Sequence, residues 1–117
     1  MAKLVRVYLD DIIECVDNIR VAIHEKSFAD YVADWTLRRA TERGVEIISE
    51  ASRRIPEDLR NTQLQIPWSL ILGIGNVLRH EYRRVSNEAM YNIATNELAE
   101  LKTAVLAIAA ALDEPEE

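Results

Sequence analysis

The chain has 117 residues, of which 49% are hydrophobic and 29% charged, and its net charge is −6. This length suits one domain and excludes two independent catalytic domains, while the hydrophobic content excludes a disordered chain. With three Gly and three Pro, the chain has too few turn residues for a β-sandwich or barrel. We therefore expect an all-α fold in which residues 1–117 form a single domain.

Cysteine content and hydropathy bear on the cellular compartment. The single cysteine, Cys15, excludes an internal disulfide framework and a metal cluster built from thiolates. The most apolar run, Ala104 to Leu112, is much shorter than the roughly 20 residues of a membrane-spanning helix. The segment from Met1 to Tyr8 leads directly into two aspartates, without the long apolar region of a secretory signal. We expect a cytoplasmic protein with no membrane segment.

Charges are segregated along the chain. The tail, residues 113–117, is acidic. Arginines form two groups, the first of Arg38, Arg39, Arg43, Arg53 and Arg54, and the second of Arg79, Arg83 and Arg84. Guanidinium groups bind phosphate oxygens through a planar fork of donors, although charge runs are commonly solvated helix faces. The net negative charge therefore does not exclude a nucleic-acid partner.

The first half of the chain predicts two long helices joined by a short one. Apolar residues recur every three or four positions along the first helix, at Leu4, Tyr8, Ile12, Cys15, Ile19 and Ala22. Ser27 is a candidate N-cap for a short helix that runs through Tyr31. A second periodic stretch, from about Ala33 to Ile55, ends before Pro56. Its predicted buried face comprises Leu37, Ala40, Gly44, Ile47 and Ala51.

The second half predicts two further helices after a polar linker, Glu57 to Ile66. Pro67 suits the first turn of the third long helix. Its predicted buried face continues through Leu70 or Ile71, then Ile74, then Val77 or Leu78. Ser86 is a candidate cap for one last helix, with apolar residues at three- and four-residue spacing through Leu112. Short connections favour antiparallel neighbours, so we expect a compact antiparallel bundle of four main helices plus a short helix.

A family resemblance rests on the segment 66–85, IPWSLILGIGNVLRHEYRRV, together with YLDDIIECVDNI and RRATERGVEIISEA. These segments resemble the HepT-like family of the HEPN superfamily, and the resemblance covers nearly the whole chain. The family's members are small all-helical ribonuclease toxins encoded beside a minimal nucleotidyltransferase antitoxin. Their motif is Arg-Asn, three residues, His, any residue, Tyr. Here Asn76, His80 and Tyr82 match it, whereas Gly75 stands in place of the arginine.

The resemblance implies metal-independent RNA cleavage, in which a ribose 2′-hydroxyl attacks the neighbouring phosphate. Histidine accepts and donates protons near neutrality, so His80 is the candidate acid or base, with Asn76 as an orienting side chain. Arg79 is the candidate replacement for the missing catalytic cation. Arg83 and Arg84 are candidate phosphate or RNA contacts, because residues three or four apart share a helix face.

Arg79 and His80 are adjacent, and adjacent residues of an α-helix point about 100° apart. Arg79 can therefore serve the same site if the helix is distorted around Gly73 and Gly75, or if a second subunit supplies the missing surface. The family's sites lie between paired subunits, which implies a homodimer or a higher homo-oligomer. Gly73 and Gly75 lack the third glycine and the preceding strand of a phosphate loop, which favours close helix packing.

Tyr82 keeps the family's spacing from the histidine. The resemblance implies that a partner nucleotidyltransferase adds AMP to this tyrosine, and the nucleotide would block RNA entry with bulk and negative charge. The alternative is a packed tyrosine with a solvated hydroxyl.

Other chemically capable residues have simpler interpretations. Glu42, Glu46 and Glu50 stand at four-residue spacing, but the neighbouring arginines favour ion pairs, so we expect no metal and no cofactor. Trp35 and Trp68 are expected in the core or at a subunit contact, with RNA stacking as the alternative.

Three functions remain open from the sequence. The first is a toxin-type endoribonuclease. The second is a non-catalytic HEPN subunit that binds a nucleotidyltransferase, an interpretation that the glycine at position 75 favours. The third is a helical homo-oligomer whose arginines only solvate its surface.

Overall fold

The computed structural model describes residues 2–113, and within them the chain is α-helical with no strand. The helices are α1 (Ala2–Ile23), α2 (Phe28–Ala33), α3 (Trp35–Arg53), α4 (Glu57–Arg60), α5 (Trp68–His80), α6 (Asn87–Asn92) and α7 (Leu98–Leu112). The predicted all-α fold is confirmed. The short helix α4 lies in the segment expected to be a polar linker, and the tail residues 114–117 lie outside the described residues.

Side-chain caps set several helix ends. Ser27 and Asp30 form a capping box at α2: the serine hydroxyl accepts from the Asp30 amide at 3.0 Å, and the Asp30 carboxylate accepts from the Ser27 amide at 2.9 Å. Asp34 separates α2 from α3 and accepts from the amide of Leu37 at 3.0 Å. Ser86 caps α6 in the same way. Both caps predicted from the sequence, Ser27 and Ser86, are confirmed.

The buried faces of α1 and α3 are rotated by about one residue from the predicted stripes. In α1 the buried residues are Val5, Leu9, Ile12, Val16, Ile19 and Ile23. Leu4 and Ala22, predicted to be buried, are exposed. In α3, Thr41 is buried in place of Ala40. Most of the predicted positions in α1 have an apolar neighbour in sequence, so periodicity alone leaves two overlapping stripes, and packing between helices selects one.

The last helix, predicted as continuous, is divided by a π-helical segment, Ile93–Glu97, between α6 and α7. Met90 and Leu98 are both buried, although in a regular α-helix residues eight apart differ in direction by about 80°. The wider π turn removes this offset and keeps both side chains on the core side. The described helices do not combine the length and apolar character needed to cross a membrane.

Helix α3 packs against both α1 and α5, and α7 packs against α1. Contacts between α3 and α5 run in opposite chain directions: Glu46 meets Arg79, and Ser49 meets Gly75. The two helices are therefore antiparallel, as expected. Helix α5 packs mainly against α3, and its other side borders an apolar groove of about 540 Å³ that faces α6 and α7.

Candidate active site

Helix α5 is a regular α-helix from Trp68 to His80 and passes through Gly73 and Gly75 without interruption. The distortion that could have turned Arg79 toward the side of His80 is therefore not found. Arg79 could serve the site of His80 through a distorted helix or through a second subunit, and only the second subunit remains.

Gly75 is buried where α5 crosses α3, and its amide donates a hydrogen bond to Ser49 Oγ at 3.1 Å. A Cβ atom at this position would lie 2.6 Å from Ser49 Oγ and 2.8 Å from Ser49 Cβ. At Gly73, by contrast, an added Cβ would meet nothing within 4 Å. Close helix packing is thus confirmed for Gly75 and wrong for Gly73. The position of the motif arginine has no room for a side chain unless Ser49 moves.

Asn76 and His80 lie on the solvent-exposed side of α5, one helical turn apart. His80 is the last residue of the helix, because Glu81 leaves the helical conformation with φ −141° and ψ 41°. Tyr82 then opens a 3₁₀ turn, Tyr82–Arg84, and is 55% exposed. These three motif residues are accessible together at one end of α5.

Arg79 points away from this side and toward α3. Its Nε lies 3.4 Å from Glu46 Oε2, and its Nη2 lies 3.8 Å from Glu50 Oε2. Gly75 and Arg79 are four residues apart, and both face α3. The Arg79 guanidinium therefore lies on the same face of α5 as Gly75, one turn closer to the C-terminal end of the helix. The lost arginine and its candidate replacement therefore share a helix face.

Arg43 joins this cluster from α3. Its Nη1 lies 2.9 Å from Glu46 Oε1, so one carboxylate, whose side chain is 16% exposed, holds two guanidinium groups from two helices. Sequence reasoning assigned Arg43 to surface ion pairing and missed its position beside Arg79. No sequence spacing connects positions 43 and 79, since they meet only through the antiparallel crossing of α3 and α5.

Arg83 and Arg84 are exposed on the 3₁₀ turn. Arg84 Nη1 lies 3.0 Å from Glu81 Oε2. The expectation that they share a helix face with His80 is wrong, because α5 ends at that residue. Both arginine side chains are accessible. Whether they lie near His80 is set by the 3₁₀ turn and not by helical spacing.

The glutamates of α3 are engaged by arginines, as predicted. Glu42 lies 3.1 Å from Arg39, and Glu50 lies 3.9 Å from Arg53. Among the described residues, no group of three or more His, Cys, Asp or Glu side chains converges as a metal site would require.

The two tryptophans differ in their surroundings. Trp68 is 8% exposed and donates from Nε1 to the Gln63 carbonyl at 3.0 Å, which confirms the core expectation for this residue. Trp35 is 64% exposed, so a core position is wrong there.

Comparison with known proteins identifies the family. Residues 12–108 match the family model "Ribonuclease HepT-like". The chain is 33% identical over 103 residues to "Putative RNase TTE0752" of Caldanaerobacter subterraneus subsp. tengcongensis, covering 88% of this chain and 92% of that protein. It is 32% identical over 95 residues to "Probable ribonuclease HepT" of Thermococcus cleftensis, covering 81% and 86%. No solved structure matches the chain.

The all-helical fold, with Asn76 and His80 exposed on one helix and Tyr82 on the turn after it, agrees with the HEPN class that the family match indicates. Within that class, the chain belongs to the HepT-like ribonuclease family. The family predicted from the motif in α5 is confirmed.

Proposed function

We propose that this protein is a HepT-like toxin of a toxin–antitoxin pair and acts as a metal-independent endoribonuclease. The main support is the exposure of Asn76 and His80, one turn apart at the end of α5, where an RNA strand can reach both side chains. The ribonuclease names of the relatives support the same class of reaction.

In the proposed reaction, the ribose 2′-hydroxyl attacks the adjacent phosphorus. The new P–O2′ bond forms as the P–O5′ bond breaks, which leaves a 2′,3′-cyclic phosphate and a free 5′-hydroxyl. The His80 imidazole takes the proton from the 2′-hydroxyl, and the imidazolium then supplies a proton to the departing oxygen. The Asn76 amide donates to a phosphate oxygen and orients it. Requirement for a 2′-hydroxyl restricts the reaction to RNA.

The negative charge that develops on the phosphate needs a cation. We assign this role to Arg79 of a second subunit, because within one subunit Arg79 faces α3 and points away from the side of His80. Arg83 and Arg84 are the proposed phosphate or RNA contacts on the adjoining turn. Glu46 fixes the Arg79 guanidinium at 3.4 Å and keeps it near the end of α5. A fixed guanidinium needs no reorganisation in the transition state, which is the property that makes such groups effective.

We further propose that the protein functions as a homodimer, or a higher homo-oligomer. The apolar groove beside α5 supports this proposal, together with Leu70, which borders the groove and is 71% exposed. An exposed apolar side chain and a groove on the same surface can be self-complementary across a two-fold axis. Tyr82 is the proposed acceptor of AMP from a minimal nucleotidyltransferase antitoxin.

A second candidate function is a non-catalytic HEPN subunit that pairs with the nucleotidyltransferase. One observation favours it: Ser49 occupies the space that the first atom of the motif arginine would need. In this case the exposed motif residues would contribute to binding and not to catalysis.

An RNA cleavage assay in the presence of a chelator separates these functions. The chain has two histidines, which provide a matched control. We expect chelator-resistant cleavage by the wild type and by His24→Ala, and loss of cleavage in His80→Ala. A wild-type dimer that binds the nucleotidyltransferase but cuts no RNA would support the binding subunit instead.

Arg79→Ala tests the cation in the same assay. Its turnover should fall by about a hundred- to a thousandfold if Arg79 contacts the transition state. Arg54→Ala is the control, because Arg54 also pairs with Glu50, at 3.8 Å, but does not contact Glu46 in the described ion pairs. Equal turnover in both variants would remove Arg79 from the site.

A further inference from the structure

Trp35 has a large apolar side chain that does not pack in the core. It is the first residue of α3 and is 64% exposed. One turn later, Arg39 Cζ lies 5.9 Å from the centroid of the indole ring. The Arg39 Nε also lies 3.1 Å from Glu42 Oε1, so an ion pair helps to hold the guanidinium beside the ring. An indole and a guanidinium arranged in this way present a surface on which a nucleobase can stack.

This pair lies on a strip of α3 that leads to the proposed catalytic end of α5. Trp35, Arg39 and Arg43 are spaced four residues apart, which places them along one side of the helix over about 12 Å. Arg43 then shares the Glu46 carboxylate with Arg79, the neighbour of His80 in sequence. The strip therefore reaches the side of α5 that carries Arg79, and a strand that extends from His80 around the end of α5 would meet guanidinium groups along this path before it reached the indole.

We propose that Trp35 and Arg39 form a stacking subsite for an unpaired base of single-stranded RNA, connected through Arg43 to the site at His80. This inference rests on the proposed ribonuclease function and names a substrate contact that the motif does not contain. Stacking accepts any base, because every base has a π-face. The subsite therefore adds affinity for unpaired RNA without selecting a sequence.

Charges around the indole favour a base over a phosphate at this position. An open depression of about 420 Å³ beside Trp35 is bordered by Lys26, Asp30 and Asp34. With one ammonium and two carboxylates, this border carries a net charge of −1, which disfavours phosphate. The carboxylate oxygens that do not cap helices can accept hydrogen bonds from base amino groups. The phosphates of a bound strand are thus directed toward Arg39 and Arg43, and a base toward Trp35.

A protein partner is the competing occupant, since Phe28 and Val32 on α2 are also exposed. Protein hot spots favour aromatic side chains within a water-excluding apolar surround. Here the neighbours of Trp35 include Lys26, Asp34 and Arg39, which keep the indole in a charged, hydrated setting. These surroundings fit a wet RNA contact better than a docked protein.

Binding is tested with a fluorescein-labelled oligoadenylate of about 12 nucleotides, 2′-O-methylated throughout so that it cannot be cleaved. We expect Trp35→Ala to weaken binding about 5- to 150-fold, and Trp35→Phe to weaken it less. Val21→Ala, which alters an exposed apolar residue of α1 outside the strip, should bind as the wild type does. Circular dichroism checks that each variant is folded.

Tryptophan fluorescence gives a second readout. The probe should quench the emission of the wild type, and this quenching should disappear in Trp35→Phe, which retains Trp68. Wild-type affinity in Trp35→Ala would overturn the inference, as would unchanged quenching in Trp35→Phe. Reduced binding of the nucleotidyltransferase to Trp35→Ala, with probe binding unchanged, would instead identify a protein surface and also overturn it.

The probe separates this inference from the ribonuclease proposal. Because it has no free 2′-hydroxyl, its binding is measured whether or not the protein cuts RNA. Cleavage that persists with no contribution of Trp35 to binding would refute the stacking subsite and leave the ribonuclease proposal intact. Trp35-dependent binding without any RNA cleavage would refute the ribonuclease proposal and leave the subsite intact.

Discussion

At the scale of single residues, Tyr31 shows how the core sets a side chain's chemistry. It is fully buried, with its ring centroid 5.8 Å from that of Tyr91. Its hydroxyl has no hydrogen-bond partner among the described residues. Burial raises the pKa of Tyr31 from 10.0 to about 12, and the nearby Glu42 carboxylate acts in the same direction. The cause is the cost of placing a phenolate in a dry interior.

This pKa predicts a loss of stability in alkali. Below about pH 10, Tyr31 is protonated in both folded and unfolded chains; at higher pH the unfolded chain loses its proton first. The free energy of unfolding of the wild type should therefore fall as the pH rises from 10 to about 12. Compared with Tyr31→Phe, which lacks this hydroxyl, the wild type should lose on the order of 2 kcal/mol more. Urea titrations at several pH values measure it. Tyr82→Phe should keep the wild-type alkaline loss.

Tyr82 differs from the other tyrosines in accessibility. The chain has four tyrosines, and Tyr82 is the exposed one, since Tyr31 is buried and Tyr8 and Tyr91 are partly buried. If Tyr82 is the proposed acceptor, incubation with a minimal nucleotidyltransferase of the proposed partner type and ATP should therefore add the mass of AMP to the wild type and to Tyr91→Phe, but not to Tyr82→Phe. A mass increase that survives Tyr82→Phe would show that another residue is the acceptor.

At the scale of the helices, the crossing of α3 and α5 depends on Gly75. The Ser49 hydroxyl accepts from the Gly75 amide and donates to the Leu72 carbonyl at 3.3 Å. Arg53 also donates to the Leu72 carbonyl. The arginines and glutamates of α3 then extend the contact to Arg79. A larger residue at position 75 would separate two helices that are joined by all these bonds.

Restoring the family arginine by Gly75→Arg should consequently destabilise the protein by about 1–3 kcal/mol, because the new Cβ would lie 2.6 Å from Ser49 Oγ. Combined with Ser49→Gly, the same change should cost less than the sum of the two single changes. Cleavage should rise in the double variant above Gly75→Arg alone. Urea unfolding and turnover measure the two effects.

Gly73→Ala is the control for this prediction, because it adds a Cβ without placing a charge in the groove that Gly73 lines. Nothing lies within 4 Å of a Cβ at position 73, and alanine has the better helix propensity, so this variant should gain up to about 1 kcal/mol. If Gly75→Arg is as stable as Gly73→Ala, Ser49 moves aside more easily than its contacts indicate.

At the scale of the whole molecule, the groove beside α5 leaves apolar side chains uncovered on the described surface. Its lining includes the exposed Leu70 together with Ile71 and Ile74 of α5 and Ile93 of the π-helical segment, all three of which are partly exposed. Apolar surface of this kind commonly marks an interface. The proposed dimer would cover it and could place two α5 motifs near each other.

A charge in this groove should therefore prevent assembly. We expect the wild type to sediment at a multiple of its 13.4 kDa mass and Leu70→Asp to sediment as a monomer. Leu64→Asp, which changes an equally exposed leucine that does not line the groove, should not alter the mass. A monomeric wild type at micromolar concentration would contradict the dimer and the second-subunit route for Arg79.

Local patterns in the sequence were sufficient for the long helices and for the motif, but not for α4 or for the π-helical segment between α6 and α7. Ser27 and Ser86 start helices because their hydroxyls bond to nearby amides, which needs no tertiary contact. Asn76, His80 and Tyr82 lie within seven consecutive residues, so one helix and the turn after it suffice to bring them to one end of α5. These features depend on interactions between close neighbours along the chain.

The tertiary structure determined the burial and the contacts that involve residues distant in sequence. Whether Leu4 or Val5 is buried depends on the neighbouring helices, and the fit of Gly75 depends on Ser49, twenty-six positions earlier. Arg43 and Arg79 meet only because α3 and α5 are antiparallel and share Glu46. Trp35 is exposed because the helices pack on another side of α3. Periodicity records how apolar a face is, but the partner helix determines which residues on that face are covered.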